Sequence, residues 1–253
     1  MSPKPFNMQD DEIFRLSDDQ KFFYHENGYL IIRNFFNEET CNSLKNAAIE
    51  YSKGKIHNYL NFHRDVDEFI QIISNYSLHD ICDQLQNKRM IPIGSIYFFG
   101  KPNNEFENGS LPHQDNYAAK APSGSYLVAS LALDHADNSN GALFVYPGSN
   151  KLSELPYVES KNFEFNSEGD LIKNYPIGNE VEIPKGFKRV TLSYGPGDLI
   201  LMHSNTIHGA EKNTNLEGKW RSQFYMHFIR EGDPFWPGWN ARRQIMDRGP
   251  KRT

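Results

Sequence analysis

The sequence predicts a mainly β fold, a sandwich or jelly roll with helices packed against its outside. Residues 1–90 carry capped segments of helical period. From Ile91 onward the texture changes to short apolar runs, and Gly, Pro and Asn turns separate them. A chain of 253 residues can be one domain, since β sandwiches and barrels of roughly 200–250 residues are common as single units. The expected organisation is a helical part over 1–90, a strand core over 91–230 and an irregular tail over 231–253.

Each element has a local cause. Ser17-Asp18-Asp19-Gln20 opens a helix like a capping box, Phe22, Phe23 and His25 follow, and Gly28 closes it. Tyr29-Leu30-Ile31-Ile32 is a short apolar strand. Glu38 to Ser52 reads as a second helix, with Leu44, Ala47, Ala48 and Tyr51 on one face. Asp65 to Asn75 reads as a third, with Asp65 as N-cap, Glu68 as its capping-box partner, and Val66, Phe69, Ile70 and Ile73 at helical spacing. Expected strands then run over 91–99, 126–133, 143–146, 189–192, 198–203 and 221–229. Gly195-Pro196-Gly197-Asp198 and Tyr146-Pro147-Gly148-Ser149 mark turns. Residues 151–188 lack periodicity and read as a long insertion. Pro234, Pro237, Gly238 and Gly249 make the tail irregular, and Trp220, Trp236 and Trp239 read as core packing.

Composition narrows the function. The net charge is -5, so no basic field invites a nucleic-acid backbone. No apolar run approaches the roughly 18 residues of a membrane span. The opening MSPKPFNMQDDE is polar and does not read as a signal peptide. Cys41 and Cys82, without CxxC spacing, fit a reducing cytoplasm. A cytoplasmic protein with a small-molecule partner is expected, with neither nucleic acid nor membrane.

Three His-x-Asp pairs stand out: His63/Asp65, His113/Asp115 and His135/Asp137. On a strand, residues i and i+2 share a face, so such a pair aims at one point. On a helix the same spacing puts them roughly 200° apart. His63 and Asp65 fall at a helix start, where Asp65 reads as a cap. His135 and Asp137 run into Asn138-Ser139-Asn140-Gly141, where Asp137 reads as a turn stabiliser. His113-Gln114-Asp115 differs, because Pro112 favours an extended backbone. A facial-triad Fe(II) site needs two imidazoles and one carboxylate with open positions opposite. His113, Asp115 and His208 supply that set, with His203 as the rival third ligand. Arg221 heads the alternating stretch Ser222 to Phe228. Inside a barrel it is costly unless an anion such as a dicarboxylate pairs with it; otherwise it faces solvent or a protein acid.

The order KPN…LPHQDNY, LALDHADNSNGALFVYPGSN, GDLILMHSNTIHG and WRSQFYMHF resembles the phytanoyl-CoA dioxygenase family over about residues 16–228. That resemblance implies a double-stranded β-helix (cupin-like) core, Fe(II), and 2-oxoglutarate and O2 as cosubstrates. By it, His113, Asp115 and His208 match the iron ligands. Arg221 matches the residue that binds the distal carboxylate of 2-oxoglutarate, and Lys101 a lysine that helps to hold it. Ala210 stands where many members have serine, which shifts cosubstrate binding towards Arg221 and Ser130 or Gln223. The spacing from His208 to Arg221 is longer than the family's, so the 209–219 loop must bulge. Family relatives that halogenate carry a small residue in place of Asp115, so its carboxylate argues for hydroxylation. Asn116 and Tyr117 are the expected substrate-facing residues, Gln114 is expected to be structural, and a small polar metabolite is the expected substrate. The competing readings are a non-catalytic metal-binding barrel and a zinc hydrolase using the same ligands.

Overall fold

A computed structural model describes residues 13–103, 109–158, 164–165, 171–173 and 180–248. The expected N-terminal segment 1–12, much of the 151–188 insertion and Gly249 lie outside the described residues. Helix α1 (Asp18–Asn27) starts as its capping box requires. Ser17 Oγ accepts from Gln20 N at 3.2 Å, and Gln20 Oε1 accepts from Ser17 N at 2.9 Å. Gly28 ends it in the left-handed region at φ 80°, where a Cβ would meet Thr206 Oγ1 at 2.3 Å. β1 (Tyr29–Ile32) follows, and α2 (Glu38–Ser52) is capped by Asn37 Oδ1 accepting from Thr40 N.

The third helix departs from expectation. A single 3₁₀ turn spans Phe62–Arg64, after β2 (Tyr59–Leu60), and α3 begins only at Asp67 (Asp67–Ile73). Burial of Phe62 and Val66 fixes this entry, Val66 occupies the cap position, and Asp65 instead accepts from the Tyr51 hydroxyl at 3.2 Å. Ile70 and Tyr51 are exposed rather than buried. A further helix, α4 (Tyr76–Gln86), was not anticipated. Asn75 caps it through Leu78 N, and Leu78, Ile81, Cys82 and Leu85 form its buried face.

The strands are β3 (Met90–Phe98), β4 (Ser110–His113), β5 (Tyr126–Ala132), β6 (Leu143–Val145), β7 (Tyr157–Val158), β8 (Glu164–Phe165), β9 (Leu171–Lys173), β10 (Glu180–Val181), β11 (Val190–Thr191), β12 (Leu199–His203), β13 (His208–Ala210) and β14 (Gln223–Arg230), with a short helix α5 (Asn116–Ala119) after β4. A six-stranded sheet runs β1-β12-β5-β14-β3-β2, and a four-stranded sheet runs β11-β6-β13-β4. Every described pairing within them is antiparallel.

Side-chain alternation sorts the larger sheet into two faces. Leu127, Ala129, Leu131, Phe224, Met226 and Phe228 pack outward with the helices in one apolar cluster. Ala132, Ile200 and Met202 turn inward and pack with Leu143, Val145 and Ala210 of the smaller sheet. The result is a jelly roll with helices on one outer face. Trp239 is 86% exposed and Trp236 38%, so neither belongs to a core. The tail instead runs beside β3, with Gln244 N and Met246 N donating to Ile93 O and Pro92 O. Among the described residues no helix is long and apolar enough to cross a membrane.

Candidate active site

The two short strands that went unread in the sequence carry two of the three candidate metal donors, His113 and His208. β4 and β13 pair so that His113 lies directly opposite His208, and the register shifts between His208 and Ala210. Gly209 lets the strands close. A Cβ there would sit 2.4 Å from Phe144 Cζ and 2.6 Å from Ser110 O. Asp115 occupies the N-cap position of α5 but makes no capping bond. Its carboxylate faces the imidazoles instead, with Oδ1 3.6 Å from His113 Nε2 and Oδ2 3.5 Å from His208 Nε2.

Both rings are held from behind. His113 Nδ1 lies 2.7 Å from Leu111 O and His208 Nδ1 lies 2.9 Å from Thr206 O. A carbonyl only accepts, so each Nδ1 carries the proton and donates, which turns each Nε2 lone pair towards the carboxylate. One donor atom from each of the three residues falls within 4.8 Å of the others. Burial pushes His208 down to about 4, against the pull of Asp115, so it is neutral near pH 7. Burial tends to raise the Asp115 pKa, but His208 and His113 outweigh it and hold the carboxyl well below its usual range. For His113 burial opposes charge, and Asp115 more than reverses that. Two oriented imidazoles and an ionised carboxylate fit a divalent cation that accepts N and O ligands, with positions left open.

The other histidines are placed elsewhere. His203 Nδ1 accepts from Asn205 N at 3.1 Å, and His63 lies 2.6 Å from Ser95 Oγ. His135 and Asp137 are exposed, and Asp137 Oδ1 accepts from Ser139 N at 2.7 Å as a turn stabiliser. Gln114 is buried and ties Asn205 O and Leu155 N together, a structural role.

A polar stripe crosses the inward face of β14. Arg221, just before the strand, is 5% exposed. Its Nη1 donates to Gln223 Oε1 at 2.7 Å, and Gln223 Nε2 donates to Ser130 Oγ at 3.3 Å. The Tyr225 hydroxyl donates to the same Gln223 Oε1 at 2.6 Å, and Tyr194 completes the surround. Nε of Arg221 has no partner, and among the described residues no carboxylate pairs with it. Lys101 stands exposed on the loop after β3. Asn116 is buried, its Nδ2 bonded to Ala121 O and Glu154 Oε2 and its Oδ1 without a partner. Tyr117 is 41% exposed and stacks on Tyr157 at 3.9 Å. Sequence reading overlooked Tyr225 and His227, although their alternation with Gln223 was visible. Tyr126, Tyr194 and Arg243 carried no local signal.

Fold and donor set together define a jelly-roll protein with a candidate metal site of two histidines and one carboxylate. The chain matches the family profile described as Phytanoyl-CoA dioxygenase (PhyH) over residues 24–221, and it belongs to that family. It is 25% identical over 224 residues to the peroxisomal phytanoyl-CoA dioxygenase of Bos taurus, covering 78% of this chain and 64% of the relative. It is 28% identical over 206 residues to phytanoyl-CoA dioxygenase 1 of Oryza sativa subsp. japonica, covering 81% and 65%. The chain thus spans slightly under two thirds of these relatives' length. Its fold is similar to that of the non-heme alpha ketoglutarate dependent carbocyclase SnoK from nogalamycin biosynthesis, with TM-score 0.69, 18% identity and 88% of each chain covered. EctD from S. alaskensis, crystallised with 2-oxoglutarate and 5-hydroxyectoine, gives TM-score 0.64 at 16% identity over 85% of this chain and 76% of that one.

Proposed function

We propose that the protein is an Fe(II)- and 2-oxoglutarate-dependent dioxygenase that hydroxylates a small, polar metabolite. The observation that carries this is Arg221: a buried guanidinium with no carboxylate partner among the described residues, on the stripe whose Tyr225 feels the charge of Asp115. A buried cation without a counter-ion is costly, and an incoming carboxylate offsets that cost through paired N–H···O bonds. 2-Oxoglutarate is such an anion, and the family's cofactors suit the donor set.

His113, Asp115 and His208 would hold the iron, and the carbonyl-anchored Nδ1 groups of the two histidines fix the orientation of their rings. Arg221 binds the distal carboxylate. Gln223 and Ser130 hold the guanidinium in register, and Lys101 assists from the loop after β3. Iron, with 2-oxoglutarate and O2, supplies the oxidation, in which succinate and CO2 leave as a substrate C–H becomes C–OH. The protein's part is placement. Asn116 Oδ1 awaits a substrate donor, and the Tyr117–Tyr157 stack flanks the entrance. With iron bound, the Asp115 carboxylate would take a coordination position that a halide would otherwise need, which favours hydroxylation. Cys41 and Cys82 are buried free thiols, in keeping with a cytoplasmic setting.

Anaerobic titration of the protein with Fe(II) and 2-oxoglutarate tests this reading. The expected outcome is a visible charge-transfer band that saturates at one equivalent and disappears in His208→Ala. Bound iron without such a band, at saturating 2-oxoglutarate, would overturn it.

A further inference from the structure

A second buried arginine sits at the far end of the same stripe. Past Gln223 and Tyr225 on the inward face of β14 comes His227, and Gly94 of β3 stands opposite it. Where a side chain would otherwise project, Gly94 leaves room. A Cβ there would lie 3.0 Å from Asn61 Oδ1 and 3.7 Å from Cγ of Arg243, which comes from the tail. Arg243 enters over this gap and is 8% exposed. Its backbone is fixed by Arg243 N donating to Pro237 O, and by Gln244 N donating to Ile93 O. Nη1 donates to Ala118 O at 3.0 Å and to Trp236 O at 3.4 Å. Nε is buried without a partner, and among the described residues no carboxylate pairs with this guanidinium. With Nη1 engaged on those carbonyls and the Tyr126 hydroxyl in hydrogen-bonding reach of the guanidinium, Nε is the donor left open to an acceptor.

What surrounds that edge points to the ligand. The Tyr126 hydroxyl lies 2.6 Å from His227 Nδ1, and both groups are close enough to the guanidinium for its charge to act on them. The same two groups feel the carboxylate of Asp115, so the cluster borders the metal centre. Burial and Arg243 push His227 down to about 4, which leaves it neutral. The cluster therefore presents one positive charge and two neutral polar groups. One charge matches a monoanion. A phosphate dianion would bring a second negative charge into a buried site with nothing to meet it.

We propose that Arg243 is the specificity-determining receptor for a carboxylate carried by the primary substrate, with Tyr126 and His227 beside it. Two acid-free guanidiniums then divide the anions: Arg221 takes 2-oxoglutarate, and Arg243 takes the substrate, holding its neighbouring carbon near the metal. The assignment rests on the dioxygenase reading for what happens after binding, but the carboxylate site itself does not.

Calorimetric titration with butyrate and with butyramide, its neutral isostere, separates the two. Both are added to metal-free and to anaerobic Fe(II)-loaded protein, with 2-oxoglutarate titrated in parallel into the loaded form. The wild type should bind butyrate and reject butyramide. Arg243→Gln should weaken butyrate at least tenfold and leave 2-oxoglutarate within twofold, while Arg221→Gln should do the reverse. Because Arg243 also ties down the tail, Tyr126→Phe supplies a second variant that leaves the Nη1 bonds to Ala118 O and Trp236 O in place; it should weaken butyrate severalfold and leave 2-oxoglutarate within twofold. Arg243→Lys should fall between wild type and Arg243→Gln. Equal butyrate affinity in wild type and Arg243→Gln, or no discrimination against butyramide, would reduce Arg243 to a tail clamp. Loss of 2-oxoglutarate binding in the wild type would instead overturn the dioxygenase reading while the butyrate pattern still decides Arg243.

Discussion

Replacing Arg221 with methionine should stabilise the protein on its own and destabilise it relative to wild type when 2-oxoglutarate is present. The guanidinium is 5% exposed and lacks an acid. Exchanging buried ionic groups for apolar side chains of similar size is typically neutral or stabilising by about 1–4 kcal/mol. The swap gives up the bond from Nη1 to Gln223, worth about 1 kcal/mol, and the contacts of the guanidinium with the Tyr194 and Tyr225 hydroxyls. Gln223 Oε1 is not orphaned, because the Tyr225 hydroxyl still donates to it at 2.6 Å. The expected net gain is at most about 1–2 kcal/mol, or about 2–8 °C at roughly 2–4 °C per kcal/mol for a chain of this size. With Mn(II) and 2-oxoglutarate at about a hundred times its Kd, the wild type gains about 2.7 kcal/mol and the variant gains nothing. Thermal melts with and without 2-oxoglutarate read both effects, and the order of stability should invert between them. A variant that is less stable than wild type without ligand by more than about 1 kcal/mol, or that shows the wild-type ligand shift, would refute the argument that the guanidinium awaits an anion.

Other outcomes follow from the same geometry. Gly209→Ala places a methyl against Phe144 and Ser110 O, so β13 must move; a stability cost of about 2–3 kcal/mol and weaker Fe(II) or Zn(II) binding are expected, and unchanged metal affinity would show that the strand spacing does not set the donors. Asp198→Ala removes the acceptor for Arg33 Nη1, Asn34 N and Gly195 N at 2.7, 2.8 and 2.9 Å. Denaturant unfolding should show a loss of about 2–4 kcal/mol, and a loss below about 1 would mean that water replaces those bonds. Burial, aided by neighbouring arginines, pushes His79 down to about 3 and His63 to about 4. These pKa values are depressed on folding, so the unfolded chain takes up protons that the folded one refuses. Stability should hold above about pH 6.5 and fall as pH drops from there towards 4, at about 1.4 kcal/mol per unit for each histidine. A flat urea midpoint between pH 7 and 5 would contradict this.

Much of this architecture was legible because it obeys local rules. The Ser17–Gln20 box, the α2 boundaries and the long strands β3, β5, β12 and β14 each declare themselves by caps or by period. α4 was hidden because Ser77, His79 and Asp80 interrupt its apolar face, although Asn75 marked its start. The misplaced start of α3 reflects tertiary burial of Phe62 and Val66 overriding a capping preference at Asp65. The candidate donors His113, Asp115 and His208 were readable as residues, but the strands that carry the two histidines were not, because segments of three or four residues show no periodicity. Arg243 was unreadable: only the path of the tail across Gly94 brings it to the barrel.

The direct opposition of His113 and His208 on β4 and β13 has a bearing on assembly of the chain. Both strands are short, and their ladder holds few hydrogen bonds. A metal gripping both rings acts as a rivet through that ladder, joining segments remote in sequence and pinning their alignment. A slip of one residue would swing one imidazole to the opposite face and break the grip. Metal uptake at this site would therefore select the strand alignment as well as equip the site, and binding energy would be spent in part on holding the barrel shut.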